Sequence, residues 1–387
     1  MKRVNFFAML AAAAALTMGV TSCSKDDNGI NGPEIGNGER AKLSVSVAAP
    51  VMSRATGTTV PTDAVGNFTV FITDKSTGDI NSAWSTYSGT GANLTGGNAI
   101  DVTTSAENVY IVANAGDLTS ITSLNGATGL KSYLADLNGS SAADGNQSLA
   151  TNRWATGVTA SALSFSQNGS DWEASTTVTL TFIAARITVT VDNQMTNYGG
   201  TGSLSLNDVA VMNARGQSLL FPATGTSLIP SAYNPVAKTF YEGLADDSFA
   251  NYPAITDFTM AASLLSDALD LSSNPTYYYY VFENNATADT DFPTIVTLVG
   301  EDEDGEALYW PVHLAAYEQW ANNTSGNPFT TTGIQRGHSY NINIKLTGDA
   351  TNGGGGTTDP TKPVVNATVE VSVDLTDWIA VPLEKEF

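Results

Sequence analysis

The sequence predicts an all-β protein in two tandem domains, with short helices in the first. Three observations carry this. The chain has 387 residues, of which 42% are apolar and only 14% charged, so it can fill a core and is not a disordered acidic chain. Gly, Thr, Ser, Asn and Val crowd the text while helical runs are few. Segment after segment alternates apolar and polar residues with a period of two. The length suits a precursor segment followed by two domains of ordinary size.

The first 22 residues are read as a signal peptide and not as part of the fold. Lys2 and Arg3 precede an apolar stretch from Val4 to about Val20 that is rich in Ala and Leu. The stretch is short and small-sided for a membrane span. It ends in "GVTSC", where Val20, Thr21 and Ser22 before Cys23 look like a bacterial lipobox. Processing would cut before Cys23 and acylate it, anchoring a precursor to the outer membrane. Cys23 is the single cysteine of the chain, so no disulfide, catalytic thiol or thiolate metal site follows it. "SKDDNG" after Cys23 resembles the acidic tether that sends lipoproteins of Bacteroidetes-type bacteria to the cell surface. Residues 24–40 are polar and Gly-rich, as a tether is.

Folded text starts at 41–49, where Leu43, Val45 and Val47 alternate with Ser44 and Ser46. Arg54 follows this strand. Residues 67–74 form a second strand, and 108–116, flatly apolar, a central one. In 117–137, Asp117 reads as a cap, with Leu130, Tyr133, Leu134 and Leu137 at helical spacing. Residues 162–182 read as a hairpin with Asn168 and Gly169 in its turn. The first domain takes 55–185, after a lipidated propeptide of 23–54.

The second domain, 186–349, opens with "RITVTVDN" and no flexible join, so the two domains stand in fixed relation. Strands follow in 204–221, in 276–284, twice in 293–314, and in 337–348. The acidic run 301–306 sits at a hairpin tip. It lacks the spaced ligand set of a calcium loop and reads as a solvated turn, so no metal site is assigned. A Gly-rich linker at 350–363 leads to a terminal segment, 364–387. There Ala367, Val369, Val371, Val373 and Leu375 occupy one face of a strand.

Function classes narrow from here. A formal charge of −22 excludes a nucleic-acid footprint. No nucleophile elbow, HExxH or phosphate loop is present, so the chain is read as a non-enzyme without catalytic residues or cofactors. His313 and His338 both lie in strand text, and Tyr277 to Tyr280, Trp310 and Trp320 read as core and strand residues before a sugar platform.

"VYIVANAG", "LTFIAARITVTV", "YVFEN", "GIQRGHSYNINI" and a terminal "VEVSV…DW" together resemble the fimbrillins. These are the type V pilins of Bacteroidales, and the likeness is greatest to the minor, Mfa-like branch. One departure is "AARI", where that family usually has Lys after Ala. The resemblance implies two transthyretin-like Greek-key β-sandwich domains. It also implies an adhesive surface fimbrium of the kind that supports biofilms. In that scheme the first strand (Leu43, Val45, Val47) fills a groove of the first domain, and an Arg-specific surface protease cuts between Arg54 and Ala55. The lipidated strand leaves, and the C-terminal donor strand (Ala367, Val369, Val371, Val373, Leu375) of the same or a sibling fimbrillin replaces it. Arg40 is a rival cut site that would leave the strand attached. Three readings stay open: a shaft subunit; a tip or anchor subunit with a host or bacterial receptor; and a surface glycan-binding lipoprotein.

Overall fold

Strands fill most of the computed structural model, which describes residues 38–51, 67–86, 99–136, 154–222 without 213 and 216, 240–241, 265–271, 276–284, 294–313, 334–358, 369–377 and 379–386. The first domain holds β1 (Arg40–Val51), β2 (Phe68–Asp74), β3 (Ile80–Thr86), β4 (Ile100–Thr103), β5 (Ala106–Ala113), β6 (Leu134–Asp136), β7 (Ala155–Val158), β8 (Ser166–Asn168), β9 (Asp171–Thr179) and β10 (Thr181–Phe182). The second opens with β11 (Ala184–Asn193), β12 (Ser205–Met212), β13 (Ala214–Arg215), β14 (Gln217–Leu219), β15 (Phe240–Tyr241) and β16 (Leu265–Ala268). It continues with β17 (Thr276–Phe282), β18 (Ile295–Glu301), β19 (Ala307–His313), β20 (His338–Leu346) and β21 (Val369–Asp377), and the last strand, β22 (Ile379–Glu386), returns to the first domain.

Each domain is a sandwich of two sheets. In the first, the order β22-β1-β9-β8, with β4 also on β1, faces the order β10-β7-β5-β2-β3. Leu43, Val45 and Val47 meet Val70, Ile72, Val109 and Ile111 in the layer between them. The second pairs β17-β11-β20-β21 with β16-β12-β18-β19. Its core holds Ile187, Val189, Val209, Leu298, Trp310, Tyr340 and Ile342.

The flat apolarity of β5, and the burial of β2 at every position, have one simple cause. Phe71, Tyr110 and Val112 point away from the first sandwich and join the second domain's core cluster through Leu118, Ile121, Leu124 and Leu130. Both faces of these central strands are therefore covered, and alternation is lost. The hairpin at 162–182 exists, with Gly169 and Ser170 as its central residues and Asn168 paired to Asp171. Gly169 has φ +66°, the conformation a two-residue turn asks of its first position.

The helix expected in 117–137 is replaced by bends and one 3-10 turn, Leu130–Ser132. Asp117 accepts from the backbone N–H of Thr119 at 2.9 Å, so it closes a turn and caps nothing. Gly126 sits at φ +91°, which interrupts a helix. Leu134–Asp136 then leaves helical spacing to pair with Gln217–Leu219. Leu137 lies outside the described residues.

A strap from the second domain crosses the joint. β14 pairs with β6 of the first domain, and the Leu220 carbonyl accepts from Thr156 of β7 at 3.1 Å. Phe221 meets the Tyr110 ring edge-on, with centroids 5.1 Å apart. Arg336 holds this strap from behind, donating to the Leu219 and Leu220 carbonyls and to the Glu283 carboxylate.

The first half of the Gly-rich tract is not a free tether. Ala350–Gly355 forms a 3-10 turn, and Thr357 exchanges backbone hydrogen bonds with Tyr309 at 2.8 and 2.9 Å. A Cβ on Gly356 would stand 2.9 Å from the Trp310 ring, so only glycine permits this approach.

Candidate functional site

The site is the place of β1. Alternation drives it inward: Leu43 is 0%, Val45 1% and Val47 1% exposed. The alternate residues face out, with Lys42 exposed and Ser44 and Ser46 half-buried. β1 runs parallel to β9 over eight consecutive pairs, Ala41↔Trp172 to Ala48↔Thr179. Its other edge is covered antiparallel by β4 (Arg40–Leu43) and by β22 (Ser46 and Ala48–Val51). The strand is thus a plug between β9 on one edge and β4 and β22 on the other, which do not pair with β9 in the sheet order.

β9 depends on this plug. Its far edge is paired to β8 only at Asp171, Trp172 and Glu173. Residues 174–179 of β9 have β1 as their strand partner among the described residues. Taking β1 away would bare a row of backbone donors and acceptors beside an apolar slot.

The two ends of β1 are fixed differently. Before it, Glu39 exchanges hydrogen bonds with Thr104, and its carboxylate accepts from the Trp172 indole. At its far end, the Leu180 N–H donates to the Ala48 carbonyl at 2.7 Å. Arg40 lies inside this strand, opposite Thr103.

Leu43, Val45 and Val47 thus come together in one slot. Cys23, Arg54, Ala55 and Ala367 lie outside the described residues. Val369, Val371, Val373 and Leu375 fall on β21, where register sets them opposite Leu346, Ile344, Ile342 and Tyr340 of β20. Those four residues of β20 are buried core residues. In the single chain this C-terminal strand therefore closes the sheet of its own second domain. β22 then returns to β1 in the first. The parallel β1–β9 pairing and the return of β22 have no signal in a one-dimensional reading, because alternation does not name a partner.

Other residues singled out in the sequence find structural uses. Trp310, Tyr279 and Tyr280 are buried, and Tyr280 packs into the first domain's core. Burial pushes the Tyr340 hydroxyl up to about 12, and that hydroxyl accepts from the Gln335 N–H at 2.8 Å. Asp302, in the acidic tip, accepts the N–H groups of Asp304 and Glu306 at 3.0 and 2.8 Å, which folds the turn. His338 donates from Nδ1 to the Arg336 carbonyl at 2.8 Å. Arg186, where the sequence departs from "Ala-Lys", is 3% exposed and donates to the Ser339 hydroxyl from Nε at 3.2 Å and Nη2 at 3.0 Å.

Known proteins agree with this architecture. The family model "FimA-like major fimbrial subunit protein, C-terminal domain" matches residues 184–378, about half of the chain. No curated protein sequence matches. A solved structure from Bacteroides eggerthii, assigned to cell adhesion, is similar with a TM-score of 0.62 at 22% identity, over 90% of this chain and 98% of that one. A fimbrilin (FimA) from Porphyromonas gingivalis W83 is similar with a TM-score of 0.55 at 17% identity, over 88% of this chain and 99% of that one. These likenesses give the fold, and the family match gives the kinship. The chain belongs to the FimA-like fimbrial subunit family.

Proposed function

We propose that this chain is the repeating shaft subunit of a surface fimbrium, assembled by strand exchange after proteolytic trimming. The precursor is exported as a lipoprotein acylated at Cys23. A protease cuts between Arg54 and Ala55. The segment carrying β1 leaves, and residues 364–387 of another copy, with Val369, Val371, Val373 and Leu375, fill its slot.

One observation carries the reading: β1 is a central strand, buried along its apolar face, that begins at Arg40 and ends at Val51, three residues before Arg54. A cut after Arg54 would therefore detach a whole strand. Burying Leu43, Val45 and Val47 contributes roughly 5–9 kcal/mol at about 1.5–3 kcal/mol per side chain. While tethered, that strand also holds a high effective concentration, and a similar strand from another molecule cannot compete. Cleavage removes the second advantage and leaves the first to be matched. A head-to-tail contact of this kind does not close on itself and generates a filament. β22 supports the reading further, because it already forms five pairs with β1 and so fits this sheet.

The docking of β21 on β20 favours a second reading. A chain whose C-terminal strand stays in its own domain would accept a donor but offer none, as a tip subunit does.

Digestion of residues 24–387 with an Arg-specific protease tests both. A new N-terminus at Ala55, loss of 24–54 and growth of filaments under the electron microscope support the shaft. A chain truncated before Val364 is then cut but stays monomeric. Cleavage at Arg54 without assembly under any condition overturns the shaft reading in favour of the tip.

A further inference from the structure

The outer face of the β1 slot carries a charge pattern that burial does not explain. The Lys42 Nζ lies 2.6 Å from the Asp101 carboxylate of β4. Register sets Lys42 beside Asp101 on one neighbour and beside Glu173 of β9 on the other. All three, with Ser44, Ser166 and Ser175, line one open groove of about 730 Å³. The plug strand brings the cation, and its neighbours bring the carboxylates. Without β1, two negative charges flank the slot with nothing between them.

We propose that Asp101 and Glu173 act as an electrostatic filter on the strand slot, holding the Lys42-bearing strand and rejecting any strand that sets a carboxylate between them. The inference rests on the strand-exchange reading above. The partner it fits is a second copy's C-terminal strand in a register that keeps its carboxylates out of the place of Lys42. A one-residue slip flips every side chain to the wrong face, but a two-residue slip keeps the apolar pattern intact. Alternation alone therefore does not fix the register of Ala367, Val369, Val371, Val373 and Leu375. Their neighbours do differ: Thr368, Glu370, Ser372, Asp374 and Thr376. For a strand running as β1 runs, Ala367 in the place of Ala41 sets Thr368 between the carboxylates. A slip by two sets Glu370 there, beside two like charges, which is unfavourable. The filter disfavours the registers that set Glu370 or Asp374 there and admits those that set Thr368, Ser372 or Thr376. Because Lys42 and Asp101 are 52% and 75% exposed, it acts by a few-fold and not by orders of magnitude.

The test follows release of 24–54 after nicking the 24–387 chain at Arg54, by size exclusion of timed samples. Lys42→Glu releases about two- to five-fold faster than wild type. The difference disappears when Asp101→Asn and Glu173→Gln are both present, and it shrinks in about 0.5 M salt. Thr368→Glu slows filament growth, and the same double variant restores it. Equal release of wild type and Lys42→Glu, or a difference that survives neutralising both carboxylates, overturns the filter while leaving strand exchange intact. If 24–54 stays bound in every variant, strand exchange itself fails and the filter with it.

Discussion

Arg336 donates from Nε to Oε2 of Glu283 at 2.8 Å, and the same guanidinium reaches the Leu219 carbonyl at 2.8 Å and the Ser218 hydroxyl at 3.0 Å. Ser218 in turn donates to Glu283 at 3.0 Å. The two side chains are 16% and 15% exposed, so the pair is largely shielded from water. Its position behind β14 makes it the fixture of the strap that joins the domains.

Replacing Arg336 by Met removes its bonds to the Glu283 carboxylate and to two strap carbonyls, and leaves the buried carboxylate with Ser218 but without its counter-charge. Removing one partner of a fully buried pair costs about 3–5 kcal/mol, and exposed pairs contribute about 0–1 kcal/mol. For this nearly buried pair the expected loss is about 2–4 kcal/mol, read from urea unfolding. A loss below about 0.5 kcal/mol would mean the strap is held by β6, Thr156 and Tyr110 without need of the ion pair.

Leu43→Ala opens a cavity in the slot under β1. The expected cost is about 2–5 kcal/mol of precursor stability, with faster departure of 24–54 after nicking. Chemical denaturation and the release assay check the two effects in one protein.

Gly157→Ala tests how closely β7 is pressed on the end of β9. The added Cβ would meet the Thr179 carbonyl at 2.4 Å and the Val178 side chain at 2.8 Å. Neither can retreat, because both belong to the strand that carries β1. The expected loss is about 1–3 kcal/mol by overpacking, seen as a lower midpoint of unfolding.

Acid acts on two carboxylates with opposite sign. Burial opposes ionisation of Asp74, but hydrogen bonds from Ser105, from Ser76 and from the backbone of Ser76 and Thr77 outweigh it, so its pKa lies below the ordinary 3.8. Its share of stability is complete above about pH 4 and is lost as pH falls through the depressed value. Asp208 is raised by burial, so its ionised form destabilises at neutral pH and the penalty relaxes on acidification. Asp74→Asn therefore lowers stability at pH 7 and flattens the acid limb. Asp208→Asn raises stability at pH 7. Unfolding midpoints measured from about pH 2 to pH 7 decide both.

Much of this fold was legible in the sequence because period-two alternation reports burial directly. Leu43, Val45 and Val47 declared their face, as did the run from His338 to Leu346. Pairing was not legible. Nothing in residues 41–48 names 172–179 as a parallel partner, and nothing in Ile379–Glu386 points to Ser46–Val51. The helical spacing of Leu130, Tyr133 and Leu134 misled because a two-stranded contact with Gln217–Leu219 won over local preference. Arg336 and Glu283 stood in quoted strand text, 53 residues apart, with no local signal of their meeting.

The most direct test of strand exchange is to lock β1 in place. Ser44 of β1 and Ser175 of β9 are register partners on the outer face of the sheet. Neighbouring strands lie about 4.8 Å apart, within reach of a disulfide. In the 24–387 chain, which lacks Cys23, Ser44→Cys and Ser175→Cys supply the two thiols. After cleavage at Arg54, the oxidised protein retains 24–54 and stays monomeric, and adding a thiol reductant starts filament growth. Filaments growing from the oxidised, locked protein would contradict the replacement of β1 by an incoming strand.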